Sequence, residues 1–400
     1  MNTTTSIKPG RYHIYVEGES GERFDERKGT NLILDNFLNR MATENPLSII
    51  ASAFAGDGKP SPTATMYTYS DTITASQSGT TITASAPFFN SGMVGKGIHF
   101  ETDTTDTYNC KIVSFTSTTE VEVNTTNTVA SDSFAIWNTD MIELNNDISM
   151  GFDARQTVTS SITNESLPDA IVMNYSLRYN FARRDYNAES PIVVNEIGLG
   201  TASNNLGIMF YLDSDVSIPA NFRLVVNYEL SVVIGGIKSV APITLSGSSA
   251  SFANANSFIT NANDGGGITP KHATKGVNLT SIEGFIFPWF AGTYYVAAAA
   301  ENLTYSLALK TIPTNFTLAT YLNTSFAPQQ WVKTYTTTAA WTGGIYTLRN
   351  IVVREGTLLS STINYRYDTG TNVAVTSPED SLSITFTWTW TRSLPAISSL

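Results

Sequence analysis

From Ile171 to Phe181 every second residue is apolar: Ile171, Met173, Tyr175, Leu177, Tyr179 and Phe181. Side chains alternate between the two faces of a β-strand, so this run places its apolar groups on one face and polar groups on the other. The same alternation returns at 11–17, at 222–234, and near the end of the chain, where Ile384, Phe386, Trp388 and Trp390 share a face. A chain patterned this way is committed to half-buried strands packed in layers. One run departs from it. Leu34, Phe37, Leu38 and Met41 recur at helical spacing, which makes 31–42 the best helix candidate.

The polar positions point the same way. Charged residues are 14% of the chain, well below the roughly 25% of an average soluble protein. Thr, Ser, Asn and Gly fill the gap, and these favour pleated surfaces and turns over helices. The fold class expected is all-β: two antiparallel β-sandwich domains, a small inserted β module and one short N-terminal helix.

The 400 residues suffice for two or three domains with cores of their own. The N-terminal sandwich is expected over 1–87 and 141–236. Between these pieces lie short apolar runs, Phe88-Phe89, Val94 to Ile98, Ile112-Val113, Val121 to Val123 and Phe134 to Trp137, spaced by polar turns. They are read as a small β module inserted at 88–140. The C-terminal sandwich is expected over 237–400. Its order parallels the first: 350–356 resembles 194–200, 363–368 resembles 208–213, and 382–390 resembles 224–232. That order reads as a divergent duplicate. Residues 241–280, rich in Ser, Ala, Asn and Gly, are expected to form a long exposed arm.

The formal net charge is -11, so a phosphate-binding role needs a basic patch set against the global balance. No such patch stands out along the sequence. Arg23, Arg27 and Lys28 are interleaved with Glu22, Asp25 and Glu26, and Arg183-Arg184 sits in a polar stretch; both read as solvated surface, and no nucleic-acid partner is expected. The single cysteine, Cys110, cannot form an intrachain disulfide and reads as an inert strand residue. No run approaches the roughly 20 apolar residues of a membrane-spanning helix. Residues 1–10 have no apolar signal-like core, so a soluble chain made in a host cytoplasm is expected.

A search for chemistry returns little. His13, His99 and His272 stand in no metal-ligand spacing, and no nucleophile-elbow, P-loop or dinucleotide-binding glycine pattern appears. Neither a cofactor nor a catalytic residue is assigned. Two carboxylate pairs, Asp213-Ser-Asp215 and Asp103-Thr-Thr-Asp106, have the chemistry for acid-base work or a Ca²⁺, and fit β-turns equally well. The densest aromatic cluster is Phe285, Phe287, Trp289, Phe290, Tyr294 and Tyr295. Aromatic groups anchor subunit interfaces and also form sugar platforms; the interface reading is placed first.

Two sets of residues resemble a known family. Asn31-Leu-Ile-Leu-Asp-Asn-Phe-Leu-Asn39 precedes a Gly56-Asp-Gly58 loop, and Asn195-Glu-Ile-Gly-Leu-Gly200 precedes a closing strand, Phe222-Arg-Leu-Val-Val-Asn-Tyr-Glu-Leu-Ser-Val232. This order resembles virion structural proteins of tailed bacteriophages, and the Val94-Gly95-Lys96 unit is similar to small β modules of their tail and neck proteins. The resemblance covers about residues 25–235, and the C-terminal half departs from it. It implies a non-enzymatic tail or neck component of the virion that forms a homo-oligomer and docks neighbouring tail, fibre or head proteins. The alternatives are a receptor-binding or tail-fibre protein contacting host surface glycan through the 285–295 aromatics, a capsid decoration protein, and a glycan depolymerase.

Overall fold

The computed structural model describes residues 2–31, 33–41, 44, 46–58, 67–70, 72–102, 110–164, 171–187, 190–235, 243–245, 248–250, 296–299, 317–321, 329–337, 346–358, 361–375 and 382–393. The chain is all-β, with several antiparallel sheets and, among the described residues, two short α-helices. It opens with β1 (Asn2–Ile7), β2 (Gly10–Glu17) and β3 (Arg23–Asn31), then α1 (Asp35–Arg40), α2 (Pro46–Ile49) and β4 (Ser52–Gly56). Six strands follow: β5 (Tyr67–Tyr69), β6 (Ala75–Ala84), β7 (Gly97–Phe100), β8 (Ile112–Ser117), β9 (Glu120–Asp132) and β10 (Phe134–Trp137). Next come β11 (Phe152–Asn164), β12 (Ile171–Phe181), β13 (Ile192–Ala202), β14 (Asn205–Ile218) and β15 (Arg223–Gly235). The last are β16 (Ile243–Leu245), β17 (Ser248–Ala250), β18 (Val296–Ala299), β19 (Thr317–Tyr321), β20 (Gln329–Thr337), β21 (Tyr346–Leu358), β22 (Ser361–Val375) and β23 (Leu382–Arg392).

Alternation drives the layering. Tyr175, Leu177, Tyr179 and Phe181 of β12 are buried, as are Leu224, Val226, Tyr228 and Leu230 of β15 and Tyr12, Ile14 and Val16 of β2. These groups face the second layer, the three-stranded sheet β14-β13-β4. Tyr12 of β2 stacks on Phe210 of β14 with ring centroids 4.2 Å apart, the contact of one inner sheet face with the other.

Strands β1 and β2 run along the same edge of β15, but the sum of paired residue numbers shifts by one between Ile7↔Val232 and Arg11↔Glu229. Lys8-Pro9 fills that shift. Proline, which has no N–H to donate to the ladder, is at home at such an irregularity. On its far edge β1 pairs with β23 in parallel, Ile7 opposite Arg392. One eleven-stranded sheet therefore contains strands from both ends of the chain. Of the strands in the region expected as the C-terminal sandwich, β16, β17, β19, β20 and β23 belong to the same sheet as β1, β2 and β3, and β18, β21 and β22 form a three-stranded sheet of their own. The expected arm at 241–280 contains β16 and β17, and its other residues lie outside those described.

The later strands repeat the pairing of the earlier ones. In the first set β15 pairs β12 and β2, β12 pairs β11, β2 pairs β3, and β13 lies between β14 and β4. In the second, β23 pairs β20 and β16, β20 pairs β19, β16 pairs β17, and β21 lies between β22 and β18. The hairpin register agrees as well. Val353↔Tyr365 and Glu355↔Ile363 fall where the sequence parallel puts Ile197↔Phe210 and Leu199↔Ile208.

Between β4 and β11 the first set carries an extra unit of two three-stranded sheets, β6-β9-β8 and β5-β10-β7. Ala75, Ile82, Phe89, Ile98, Val121 and Phe134 share its core. The unit thus begins before residue 88, because β6 pairs with β9. Strand β10 is buried along its whole length. Its alternate residues serve two cores: Phe134 and Ile136 the unit's own, Ala135 and Trp137 a cluster with Leu34, Leu206 and Met209.

The helix read over 31–42 is shorter in the structure. Leu34, Phe37, Leu38 and Met41 are all buried, as their spacing predicts. Helix α1 ends at Arg40, and a separate α2 starts at Pro46, whose fixed φ and missing N–H suit a first helical position. Among the described residues no helix is long and apolar enough to cross a membrane.

Candidate functional site

Side chains of β2, β12 and β15 that do not face the core line the outer face of the large sheet, and the register places them in rows. One row runs Arg178, Asn227, His13, Lys28; the next runs Ser176, Glu229, Arg11, Thr30. Edge strand β11 continues the second row with Thr159, opposite Ser176. Two depressions of about 740 Å³ and 570 Å³ lie over these rows and share Arg11, Thr30, Ser176 and Glu229. Together they form a groove that ends at the Lys8-Pro9 shift.

The groove is cationic. Lys8, Arg11, Arg23, Lys28 and Arg178 line it, against one carboxylate, Glu229, among the described residues. Two of the cations are held in place by the protein. Arg178 donates from Nη2 to both Glu17 oxygens at 3.0 and 3.1 Å and from Nε to Asn180 at 3.0 Å. The Arg23 guanidinium lies 4.3 Å from the centre of the Tyr15 ring, a cation-π contact. Arg223 also reaches Glu17, donating from Nε at 2.8 Å. Burial pushes the Glu17 carboxyl up, but the hydrogen bonds and charges of Arg223 and Arg178 outweigh it and hold the group below the usual carboxylate range. Arg11 and Lys28 are exposed; Arg11 stands opposite Glu229 in the ladder, and the charge of Lys28 helps to hold the Glu26 carboxyl below the usual range. His13 is turned to the rim, its Nε2 2.8 Å from Glu26.

This patch is invisible along the chain because its members come from separate strands. Sequence reading finds Arg23 and Lys28 among acidic neighbours and gives no sign of Arg11 or Arg178 beside them. Arg183 and Arg184, read as solvated surface, are instead structural pins: Arg183 donates to the carbonyls of Glu17, Gly18 and Asn221, and Arg184 to those of Ile218 and Ser190.

A second polar centre joins the Gly56-Asp-Gly58 loop to the strand that carries Asn195 and Glu196. Glu196 is fully buried, and its carboxylate accepts from the backbone N–H groups of Asn145 (3.1 Å), Asn146 (2.8 Å) and Gly58 (3.3 Å) and from Asn145 Nδ2 (2.9 Å). The loop beside it is glycine-rich for a steric reason: a Cβ on Gly56 would sit 2.3 Å from Glu196 Oε1. The Gly56-Asp57-Gly58 loop and the Glu196 strand are therefore two halves of one latch. Tyr211, bonded to the same Asn145, is pushed up to about 12 by burial.

The other candidates are scattered. Asp215 accepts from Asn195 Nδ2 at 3.4 Å on β14, and Asp213 lies in the same strand. Asp103, Asp106, His272 and the aromatics Phe285, Phe287, Trp289, Phe290, Tyr294 and Tyr295 lie outside the described residues. Cys110 is buried in the inserted unit's core and its Sγ accepts from Thr125 at 3.2 Å. Among the described residues no group of three or more His, Cys, Asp and Glu side chains could hold a metal ion. What the groove offers chemically is recognition: guanidinium and ammonium donors on a surface stiffened by ladder hydrogen bonds. No protein-family model, curated protein or solved structure matches this chain.

Proposed function

We propose that this chain is a non-enzymatic structural protein of a tailed-bacteriophage virion, a tail or neck component that self-assembles and docks neighbouring virion proteins. The observation that carries the reading is the groove on the outer sheet face, lined by five cationic side chains, of which Arg178 and Arg23 are held in place by Glu17 and Tyr15. Rigid, pre-positioned donors suit a docking surface, because little freedom remains to be lost when a partner arrives. The sequence resemblance supplies the particle. The Glu196 latch gives its motifs a physical role, closing the loops at 56–58 and 145–146 onto β13.

Antibody labelling of purified phage particles that encode this chain tests the proposal. Label at the tail or neck is the expected result; particles without the protein would overturn it. A glycan array on which binding disappears with Trp289→Ala would replace it with the receptor-binding reading.

A further inference from the structure

We infer that the cationic groove is a self-association surface whose occupant is a carboxylate-bearing face of a second copy of this chain. The inference rests on the structural-protein reading and adds the partner and the chemistry of contact. Its argument is charge complementarity. Five of the 23 Lys and Arg residues line this one groove, against one of the 34 Asp and Glu residues among those described. The rest of a chain with net charge -11 is left more acidic still, opposite in sign to the groove.

The groove's chemistry selects against other occupants. Its tyrosine rings, Tyr12, Tyr15 and Tyr175, are all buried, Tyr12 stacked on Phe210 and Tyr15 covered by Arg23, which leaves little open ring face on which a sugar could stack. Carboxylates fit the planar donor fork of Arg11 and the point charge of Lys28. At the rim, β11 contributes Val158, 56% exposed, on a strand that among the described residues pairs only with β12. An open edge of this length, with apolar surface beside the charges, is the kind of boundary that associates. A groove meeting a different, acidic face is a heterologous contact, which closes into a ring when its rotation divides a full turn.

The test compares the wild-type chain with Arg11→Glu/Lys28→Glu by light scattering from about 50 to about 500 mM NaCl, a roughly threefold shortening of the screening length. The wild type is expected to be oligomeric at low salt and to dissociate as salt rises. The double variant is expected to associate about tenfold more weakly or worse, with an unchanged thermal midpoint, and Arg11→Lys to retain association. An oligomer whose mass is indifferent to salt and to the double substitution removes the groove inference and leaves self-assembly standing. A wild type that is monomeric throughout removes both. Polygalacturonate binding that is lost in the double variant, with oligomeric mass unchanged, overturns the inference in favour of an acidic polysaccharide.

Discussion

The inserted unit at 67–137 and the sandwich that carries it are held together in different ways. The unit relies on apolar contacts among residues close in sequence: Phe88, Phe89 and Phe100 gather around Phe134, the nearest ring centroid 4.8 Å away. The sandwich relies on charged and polar latches between residues far apart. Glu17 ties β2 to Arg178 and Arg223, Glu196 ties β13 to two loops, and Arg392 at the end of β23 is buried against Asp35 and the Ile33 carbonyl. A locally closed unit can be added between two strands without disturbing the ladder on either side. A sheet that joins both ends of a chain needs fixed points where distant segments meet.

Perturbations should therefore split by region. Phe134→Ala leaves a void at the centre of the aromatic cluster and is expected to cost about 3–5 kcal/mol. Hydrogen exchange should accelerate across β6 to β9 first, while β13 and β14 keep their protection. Arg392→Ala should have a similar magnitude, about 3–5 kcal/mol, in the opposite region. It strands Asp35 with Thr139, whose Oγ1 donates at 2.7 Å, as a remaining side-chain partner. Denaturant unfolding should show the loss, with exchange rising in α1 and β23 and not in the inserted unit. Equal loosening of both regions by either variant would break the comparison.

Glu196→Gln is a milder probe, expected to cost about 2 kcal/mol. The amide keeps one acceptor oxygen but turns an N–H₂ toward donors. Loosening should appear at 145–146 and 56–58. Smaller still is the effect of acid through Glu17. Its folded-state pKa lies below the ordinary 4.5, so its stabilisation is complete above that value and is lost as pH falls through the folded pKa. Glu17→Gln should lower stability at neutral pH and flatten its decline on acidification, so the two melting curves converge at low pH.

The two regions also differ in how far the sequence discloses them. The strands of the sandwich are plain from alternation at 171–181 and 222–234, because burial on one face imposes a period of two. The inserted unit shows itself through its short apolar runs, but Ala75, Ile82 and Ala84, spaced among Ser and Thr, hide its first long strand. Strand β1, six residues of which four are Thr or Asn, has no apolar pattern to read; its place is set by backbone ladders to β15 and β23. The latches stay hidden for a related reason. A single Glu17 or Arg392 has no local signature, since its partner lies 161 or 357 residues away. The groove is the extreme case, assembled from β2, β3 and β12 by register alone.

The central claim, a self-assembling binding protein, is tested most directly by the mass of the purified chain in solution at low salt, with negative-stain images of the same sample. A closed ring or trimer is the predicted result. A stable monomer at every concentration examined would contradict it.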